Sequence, residues 1–95
     1  MSAGDEIPAS ARPRLPRGVR LRQDRVRGGF VLLAPERVVR ADPVAVAVLE
    51  RCDGSRTLTH IVDDLCIAYK GDRTRIERDV RALLADLGRK RMVSL

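Results

Sequence analysis

The chain has 95 residues, of which 44% are apolar and only two are aromatic, and its formal net charge is +6. This length and apolar fraction predict one domain with a modest core, and they exclude a long disordered chain. No apolar run is long enough for a membrane helix, and we see no secretion signal, so we expect a cytoplasmic protein. The excess of arginine favours an acidic partner, which could be a nucleic acid, an anionic membrane or an acidic peptide.

The first part of the chain reads as an arm followed by strands. Residues 1–16 are rich in Ala, Ser, Pro and Arg without an apolar period, which predicts a flexible N-terminal arm, with the folded domain over residues 17–95. Val19 and Leu21 alternate with arginines, a period of two that is typical of a half-buried strand. The continuous apolar run from Phe30 to Leu33 indicates a central strand.

A third strand and three helices follow. Pro35-Glu36 turns the chain, and Arg37 to Ala41 then forms a short strand at the edge of the sheet. Apolar residues at helical spacing predict that each helix buries one face, with Val44 in the first buried stripe and Tyr69 in the second. The expected helix starts are Asp42-Pro43, Thr57 and either Asp72 or Thr74, and the expected stops are Gly54, Gly71 and Gly88.

The order of these elements predicts the fold class. Three strands precede three helices, which favours an α+β fold with a three-stranded antiparallel sheet followed by a three-helix bundle. The last helix pair resembles a helix-turn-helix, so the arrangement is winged-helix-like. Thr74 and Glu77 fit a capping box at the start of the third helix.

Catalytic and metal-binding patterns are missing from the sequence. His60 is the single histidine, and no nucleophile or acid–base constellation accompanies it. Cys52, His60 and Cys66 have no metal-ligand spacing, and both cysteines fall on apolar helical positions, where reduced buried thiols are the expected state. We therefore expect no enzyme activity, no cofactor and no metal.

Two binding hypotheses remain from the residues alone. The third helix holds Arg73, Arg75, Arg78 and Arg81, which would suit a small winged-helix DNA-binding regulator, although Glu77, Asp79 and Asp86 interrupt the positive charge. A peptide-binding module would instead use a flat apolar strand edge. The edge strand contains such a pair, Val38-Val39.

Several segments, in their order and spacing from about Pro16 to the C-terminus, resemble the PqqD family of pyrroloquinoline quinone (PQQ) biosynthesis. They are Val19-Arg20-Leu21, Asp24, the run from Val31 to Glu36, Leu49, Cys52-Asp53-Gly54, Thr57, Ile61 and Asp79-Val80. The resemblance implies a non-catalytic peptide chaperone that binds the ribosomal precursor peptide PqqA and presents it to the radical S-adenosylmethionine enzyme PqqE. It implies no nucleic acid or membrane as partner.

The resemblance also implies where the peptide lies. In this family the peptide adds to the third strand and packs against the third helix. The matching positions here are Arg37, Val38, Val39, Arg40 and Ala41 on the strand, with Arg75, Arg78, Asp79 and Leu83 on the helix. His60 is a departure, since relatives often carry a Glu there that completes a capping box with Thr57, and we expect a less well capped helix. An open edge strand and the Gly28-Gly29 loop further predict a possible homodimer by strand exchange.

Overall fold

The computed structural model describes residues 7–95. Three strands come first: β1 (Arg20–Gln23), β2 (Phe30–Ala34) and β3 (Arg37–Ala41). They form one antiparallel sheet in the order β1-β2-β3, which confirms the predicted sheet and its central strand. Three helices follow, α1 (Pro43–Leu49), α2 (Leu58–Tyr69) and α3 (Arg73–Arg89), which completes the predicted α+β order.

The pairing register gives the sheet two different faces. Leu32 pairs with Leu21 on one side and with Val39 on the other, and this row packs against the helices. The neighbouring row consists of Arg22, Val31 and Arg40 and lies on the opposite face, because successive side chains alternate along a strand. We call these the helical face and the outer face of the sheet.

The core lies between the helical face of the sheet and the three helices. Leu32 contributes the central strand, with a side chain that is 1% exposed. At about 25 cal/mol per Å² of apolar surface removed from water, such burial supplies the main driving force for folding. The fully buried helical side chains are Val48, Leu58, Ile61, Val62, Val80 and Leu84.

Each helix starts at a polar cap. The carboxylate of Asp42 accepts from the Ala45 amide at 2.7 Å, and Pro43 occupies the first turn, where a missing N–H costs nothing. Thr57 caps α2 as predicted. The cap of α3 is Asp72, so Thr74 lies inside the helix and the predicted capping box is wrong.

The predicted glycine stops are also wrong in position. α1 ends at Leu49, and Gly54 instead takes a positive φ of 82° in the following loop. α2 ends at Tyr69, and the residue that caps it in the left-handed conformation is Lys70. α3 continues through Gly88 to Arg89, because tertiary packing of an amphipathic face outweighs the modest cost of one glycine in a helix.

Residues 7–16 correct the prediction of a flexible arm, whose remainder, residues 1–6, lies outside the described residues. Ile7 and Pro13 are buried, and the Arg81 guanidinium donates to the carbonyl of Ile7 at 2.6 Å. Arg14 and Ser94 exchange two backbone hydrogen bonds, at 2.9 and 2.8 Å. The segment has no periodicity because it docks as an irregular strap, with single side chains and carbonyls finding separate partners.

The strap also caps α2. The backbone amide of Leu58 donates to the carbonyl of Ala11 at 2.8 Å, and that of Thr59 donates to Ala9 at 3.2 Å. The His60 amide donates to the Thr57 hydroxyl at 3.1 Å. Three N–H groups at the helix start are therefore satisfied, so the expected weakness of this cap is wrong.

The two cysteines differ in exposure. Cys52 is buried and donates to the carbonyl of Val48 at 3.3 Å, whereas Cys66 is half-buried, and both are free thiols. Burial raises the pKa of the Cys52 thiol to about 12. Among the described residues, no helix is long and apolar enough to cross a membrane.

Candidate functional site

The outermost strand β3 combines polar ends with an apolar centre. Val38 is 64% exposed. Val39 and Ala41 are half-buried and pack against the core from the helical face. Since β3 is the last strand of the described sheet, the side of its backbone that faces away from β2 is open to a further strand.

The register shows which β3 residues present their backbone to that open side. The Asp24 amide donates to the Gly29 carbonyl at 2.8 Å, which fixes the alternation of bonded pairs between β1 and β2. Hydrogen-bonded and non-hydrogen-bonded pairs alternate along an antiparallel ladder. Val31 and Leu33 therefore bond to β1, whereas Phe30, Leu32 and Ala34 bond to β3.

The same alternation continues into β3. Arg37, Val39 and Ala41 direct their N–H and C=O groups toward β2, while Val38 and Arg40 direct theirs outward. An added strand would therefore pair with Val38 and Arg40. This places the outward amides on the two residues whose side chains lie on the outer face.

A groove between α1 and α3, with a volume of about 420 Å³, lies beside the end of this edge. Its apolar walls are Val44 and Ala47 of α1, Leu65 of α2, and Ile76 and Val80 of α3. Tyr69 and the charged residues Asp72, Arg75 and Asp79 also line it. We call this depression the α1–α3 groove.

A second depression, of about 350 Å³, connects the α1–α3 groove to the sheet. Phe30 and Ala41 line it on the sheet side, and it shares Pro43, Ala47 and Tyr69 with the first depression. The chain passes directly from Ala41 at the end of β3 into α1. Edge strand and groove therefore form one continuous surface.

Two residues that line this surface correct a sequence prediction. Val44 and Tyr69 are each 62% exposed, so they are not members of the buried stripes of α1 and α2. Helical spacing identified their apolar faces correctly, but these faces line an open groove. Exposed apolar groups that line a concave surface mark a binding site more often than isolated ones do.

The residues predicted on α3 fall into three groups. Arg75 and Asp79 line the groove. Leu83 is half-buried and packs against the core, and Arg78 is exposed and does not line the groove. Sequence reasoning missed Ile76 as a lining residue, and only its position one residue after Arg75 on an apolar stripe could have indicated it.

Charge separates between the sheet and the helices. Residues 17–41 contain seven arginines and two acidic residues, whereas residues 42–95 contain ten basic and nine acidic ones. Many charged residues of the second range form ion pairs, including Arg73 with Asp63, and Lys90 with Asp86 at 2.9 Å. The sheet therefore carries most of the net positive charge, whereas α3, with five arginines and three acidic residues, has a formal net charge of only +2.

One ion pair links the first turn of the sheet to β3. Asp24 accepts from the Arg40 guanidinium at 3.0 Å, and Arg40 also donates to the Gly28 carbonyl. The backbone amide of Arg27 and then the Arg40 guanidinium hold the pKa of Asp24 below its ordinary value, although partial desolvation opposes them. The pair fixes the direction of the Arg40 side chain on the outer face.

Within residues 7–95, no group of three His, Cys, Asp or Glu side chains is placed to hold a metal ion. The surface offers instead two outward-facing backbone residues, an apolar groove and flanking charges of both signs. This combination can bind an extended peptide.

Solved structures of related proteins share this fold. The solution NMR structure of the PqqD part of Methylobacterium extorquens PqqCD superposes with a TM-score of 0.82 at 45% identity, covering 99% of this chain and 100% of that one. It is described as a functional, stand-alone recognition element for ribosomally synthesized and post-translationally modified peptides. The crystal structure of PqqD from Xanthomonas campestris gives a TM-score of 0.60 at 43% identity, covering 94% and 99%.

Sequence comparison agrees with these structures. The PqqA binding protein of Rhodopseudomonas palustris strain TIE-1 is 46% identical over 84 residues, which cover 88% of this chain and 82% of that protein. The family model for coenzyme PQQ synthesis protein D matches residues 29–93, from the turn before β2 to the buried C-terminal segment after α3. With this match over most of its length, the chain belongs to the PqqD family.

Proposed function

We propose that this protein binds a PqqA-type ribosomal precursor peptide as a fourth strand on β3 and presents it to the radical S-adenosylmethionine enzyme PqqE. The observation that carries the proposal is the open β3 edge, with outward backbone residues Val38 and Arg40, in a strand whose end at Ala41 lines the depression that leads to the apolar α1–α3 groove. Relatives of the same family are named for binding PqqA.

Backbone pairing and side-chain burial have different roles in this binding mode. Val38 and Arg40 together offer two N–H and two C=O groups, and each hydrogen bond contributes a net ~0.5–1.5 kcal/mol. Backbone pairing alone accepts almost any extended sequence, so the groove supplies the selectivity by burying apolar side chains of the peptide. The two parts lie next to each other, so a single short segment can use both.

We assign the chain a binding role without chemistry of its own. The titratable residues that line the groove are Tyr69, Asp72, Arg75 and Asp79, and among the described residues its lining includes no Ser, Thr, Cys, His or Lys. Modification of the peptide is then the task of PqqE, and the complex forms in the cytoplasm, where ribosomal peptides are made. The benefit to the enzyme is a substrate held in one extended conformation.

Amide chemical shifts test the location of the peptide. The ¹⁵N-labelled protein is titrated with PqqA, and we expect the largest shifts at Val38 to Ala41, at Val44 and at Ile76 to Asp79. The β1 amides Leu21 and Gln23 are the internal control, since they belong to the opposite edge. Absence of binding, or shifts confined to β1, overturns the proposal.

Two further measurements test the rest of the proposal. A duplex DNA of mixed sequence, titrated at the same salt concentration, should not displace PqqA; tight duplex binding would favour a DNA-binding regulator. Modification of PqqA by PqqE should become faster when the protein is added. An unchanged rate would overturn the presentation role but not peptide binding.

A further inference from the structure

We propose that the site selects a particular side-chain pattern: an acidic residue flanked by two apolar residues, with the acidic side chain on the outer face opposite Arg40. The proposal rests on the proposed function, because it assumes that a peptide adds to β3. It specifies what the alternation of the sheet requires of that peptide.

The pattern follows from the two faces of the sheet. In an antiparallel pair, residues directly opposite each other place their side chains on the same face. The peptide residue opposite Arg40 therefore points to the outer face, and the residues opposite Val39 and Ala41 point to the helical face. The latter lie on the side where Ala41 lines the depression that leads to the α1–α3 groove.

The outer face requires a negative charge. Arg22 and Arg40 flank Val31 in one row, and Arg20 lies in the next row beside Leu33. Asp24 is the ion-pair partner of Arg40, and no ion pair is seen for Arg20 or Arg22 in the described part of the chain. A carboxylate at the new edge would meet a face with excess positive charge.

Arg40 has more donors than its present contacts use. A guanidinium carries five N–H donors, and here one bonds to Asp24 and one to the carbonyl of Gly28. The side chain remains 52% exposed. Directly opposite side chains on an antiparallel pair lie about 5 Å apart at Cβ. The guanidinium now lies toward Asp24 and Gly28 at the β1–β2 turn, so a carboxylate at the new edge competes with these contacts for the exposed Arg40 side chain.

The helical face requires apolar residues at both flanking positions. Val39 and Ala41 are half-buried and leave apolar surface beside the open edge. A peptide side chain opposite Ala41 extends toward Pro43 and Tyr69, where the two depressions meet. An acidic side chain there would lose water beside Glu50, the only charged residue that lines the depression beside Ala41 in the described part of the chain, so an apolar side chain fits better than a second acidic one.

Backbone and side-chain roles are coupled in this arrangement. Because Val38 and Arg40 carry the outward groups, the acidic peptide residue opposite Arg40 donates its own N–H to β3 in the antiparallel direction that the whole sheet follows. The flanking apolar residues direct their N–H groups away from β3. The acidic residue thus provides both the charge and the backbone bond.

The test uses synthetic peptides that compete with fluorescently labelled PqqA. One peptide carries Leu-Glu-Leu between Ser and Gln residues, and its matched control carries Leu-Leu-Glu in the same setting, with identical composition and charge. We expect the first to compete roughly tenfold better, since the control loses one apolar contact or the Arg40 pair at every register. Equal competition by both peptides, or by neither while PqqA binds, overturns the inference but leaves the proposed function standing. Failure of PqqA itself to bind removes both.

Charge exchange and N-methylation make the test specific to the position. Arg40→Glu should weaken the Leu-Glu-Leu peptide and be rescued by Leu-Lys-Leu, whereas Arg22→Glu, with the same charge change two strands from the edge, should show no rescue. N-methylation of the Glu should abolish competition, and N-methylation of either Leu should be tolerated. The opposite methylation pattern, or rescue at both arginines, overturns the placement.

Discussion

The two edges of the sheet have similar backbones but different surroundings. By the same alternation, Leu21 and Gln23 direct their N–H and C=O groups outward from β1, as Val38 and Arg40 do from β3. Both strands carry two exposed arginines, but β3 continues into α1 and its end at Ala41 lines the depression that leads to the α1–α3 groove, whereas no β1 residue lines either depression. Exposed charges are a common protection of an edge strand. We therefore assign the peptide to β3, because of the two edges it is the one that continues into an apolar groove.

Proline substitution at the two edges should give the largest difference. Val38→Pro removes an outward N–H of β3, and Gln23→Pro removes the equivalent N–H of β1. We expect PqqA affinity to fall at least about tenfold for Val38→Pro, from one lost hydrogen bond and a distorted edge, and to stay unchanged for Gln23→Pro. Calorimetric titration of both variants measures this. Equal losses at both edges would contradict the assignment of β3.

Val39→Pro separates binding from folding. Its N–H points toward β2, so proline there breaks the ladder opposite Leu32 at the centre of the sheet. We expect this variant to lose thermal stability as well as binding, whereas Val38→Pro should keep its melting temperature within a few degrees of the parent protein, because its N–H has no partner to lose. Melting followed by circular dichroism distinguishes the two.

Aspartate substitutions on exposed apolar residues test the groove. Val44 lines the α1–α3 groove and is 62% exposed, and Ile67 on α2 is 77% exposed and outside it. Val44→Asp places a charge where we propose that apolar peptide side chains dock, and we expect roughly tenfold weaker binding. Ile67→Asp makes the same chemical change on open surface and should leave PqqA affinity within twofold. Comparable weakening by both would mean that general charge, and not the groove, controls binding.

Two arginines on one helix test the electrostatic contribution. Arg75 lines the groove and Arg78 does not, although both are exposed on α3. Arg75→Glu should reduce the association rate of an acidic peptide about fivefold, and Arg78→Glu should reduce it less, because charge effects at a distance are screened over ~8 Å at physiological ionic strength. Stopped-flow fluorescence at increasing salt measures both rates. The difference between the two variants should shrink as salt rises, and a difference that persists would indicate a contact other than charge.

The fold was largely predictable because its signals are local. Pro35, the Asp42-Pro43 start of α1 and the run from Phe30 each act within a few residues, so the sequence predicts the third strand at its observed bounds, Arg37–Ala41. Helix ends were less predictable, since tertiary packing carries α3 past Gly88. The docked strap over residues 7–16 was missed because its contacts, such as Arg14 with Ser94, are distant in sequence and have no period.

The site was only partly predictable for a related reason. Periodicity shows that Val44 and Tyr69 lie on apolar faces, but it does not show whether another element covers those faces. The direction of the Val39 amide depends on the alternation of bonded pairs, which the register fixes and the sequence does not. The family resemblance named β3 and α3, and the groove wall on α1 emerged only from the structure.

Self-association through β3 should be weaker than peptide binding. Two copies can pair their β3 edges, but exposed arginines at positions 37 and 40 of each copy then approach each other. We expect a monomer–dimer equilibrium that appears only at high protein concentration and that excess PqqA shifts to the monomer. Sedimentation velocity with and without PqqA measures this. A dimer that saturating peptide leaves intact would place its interface elsewhere, as in exchange of strands through the Gly28-Gly29 turn.

Of these predictions, the one for the Cys52 thiol concerns the smallest effect on stability. The reactivity of this thiol reports whether the core beside α1 stays closed. Burial raises its pKa from 9.0 to about 12, so the folded state keeps the neutral thiol that the unfolded chain would ionise. The thiol's contribution to stability is therefore fully present below pH 9 and is lost as the pH rises toward 12.

At pH 8 we expect a thiol reagent to label half-buried Cys66 and to leave Cys52 unmodified, because Cys52 is both buried and protonated. Mass spectrometry of the labelled protein locates each modification. Labelling of Cys52 should become fast in Val39→Pro, where the sheet opens, and stay slow in Val38→Pro and Gln23→Pro; fast labelling in all three would show that the outward amides also support the fold.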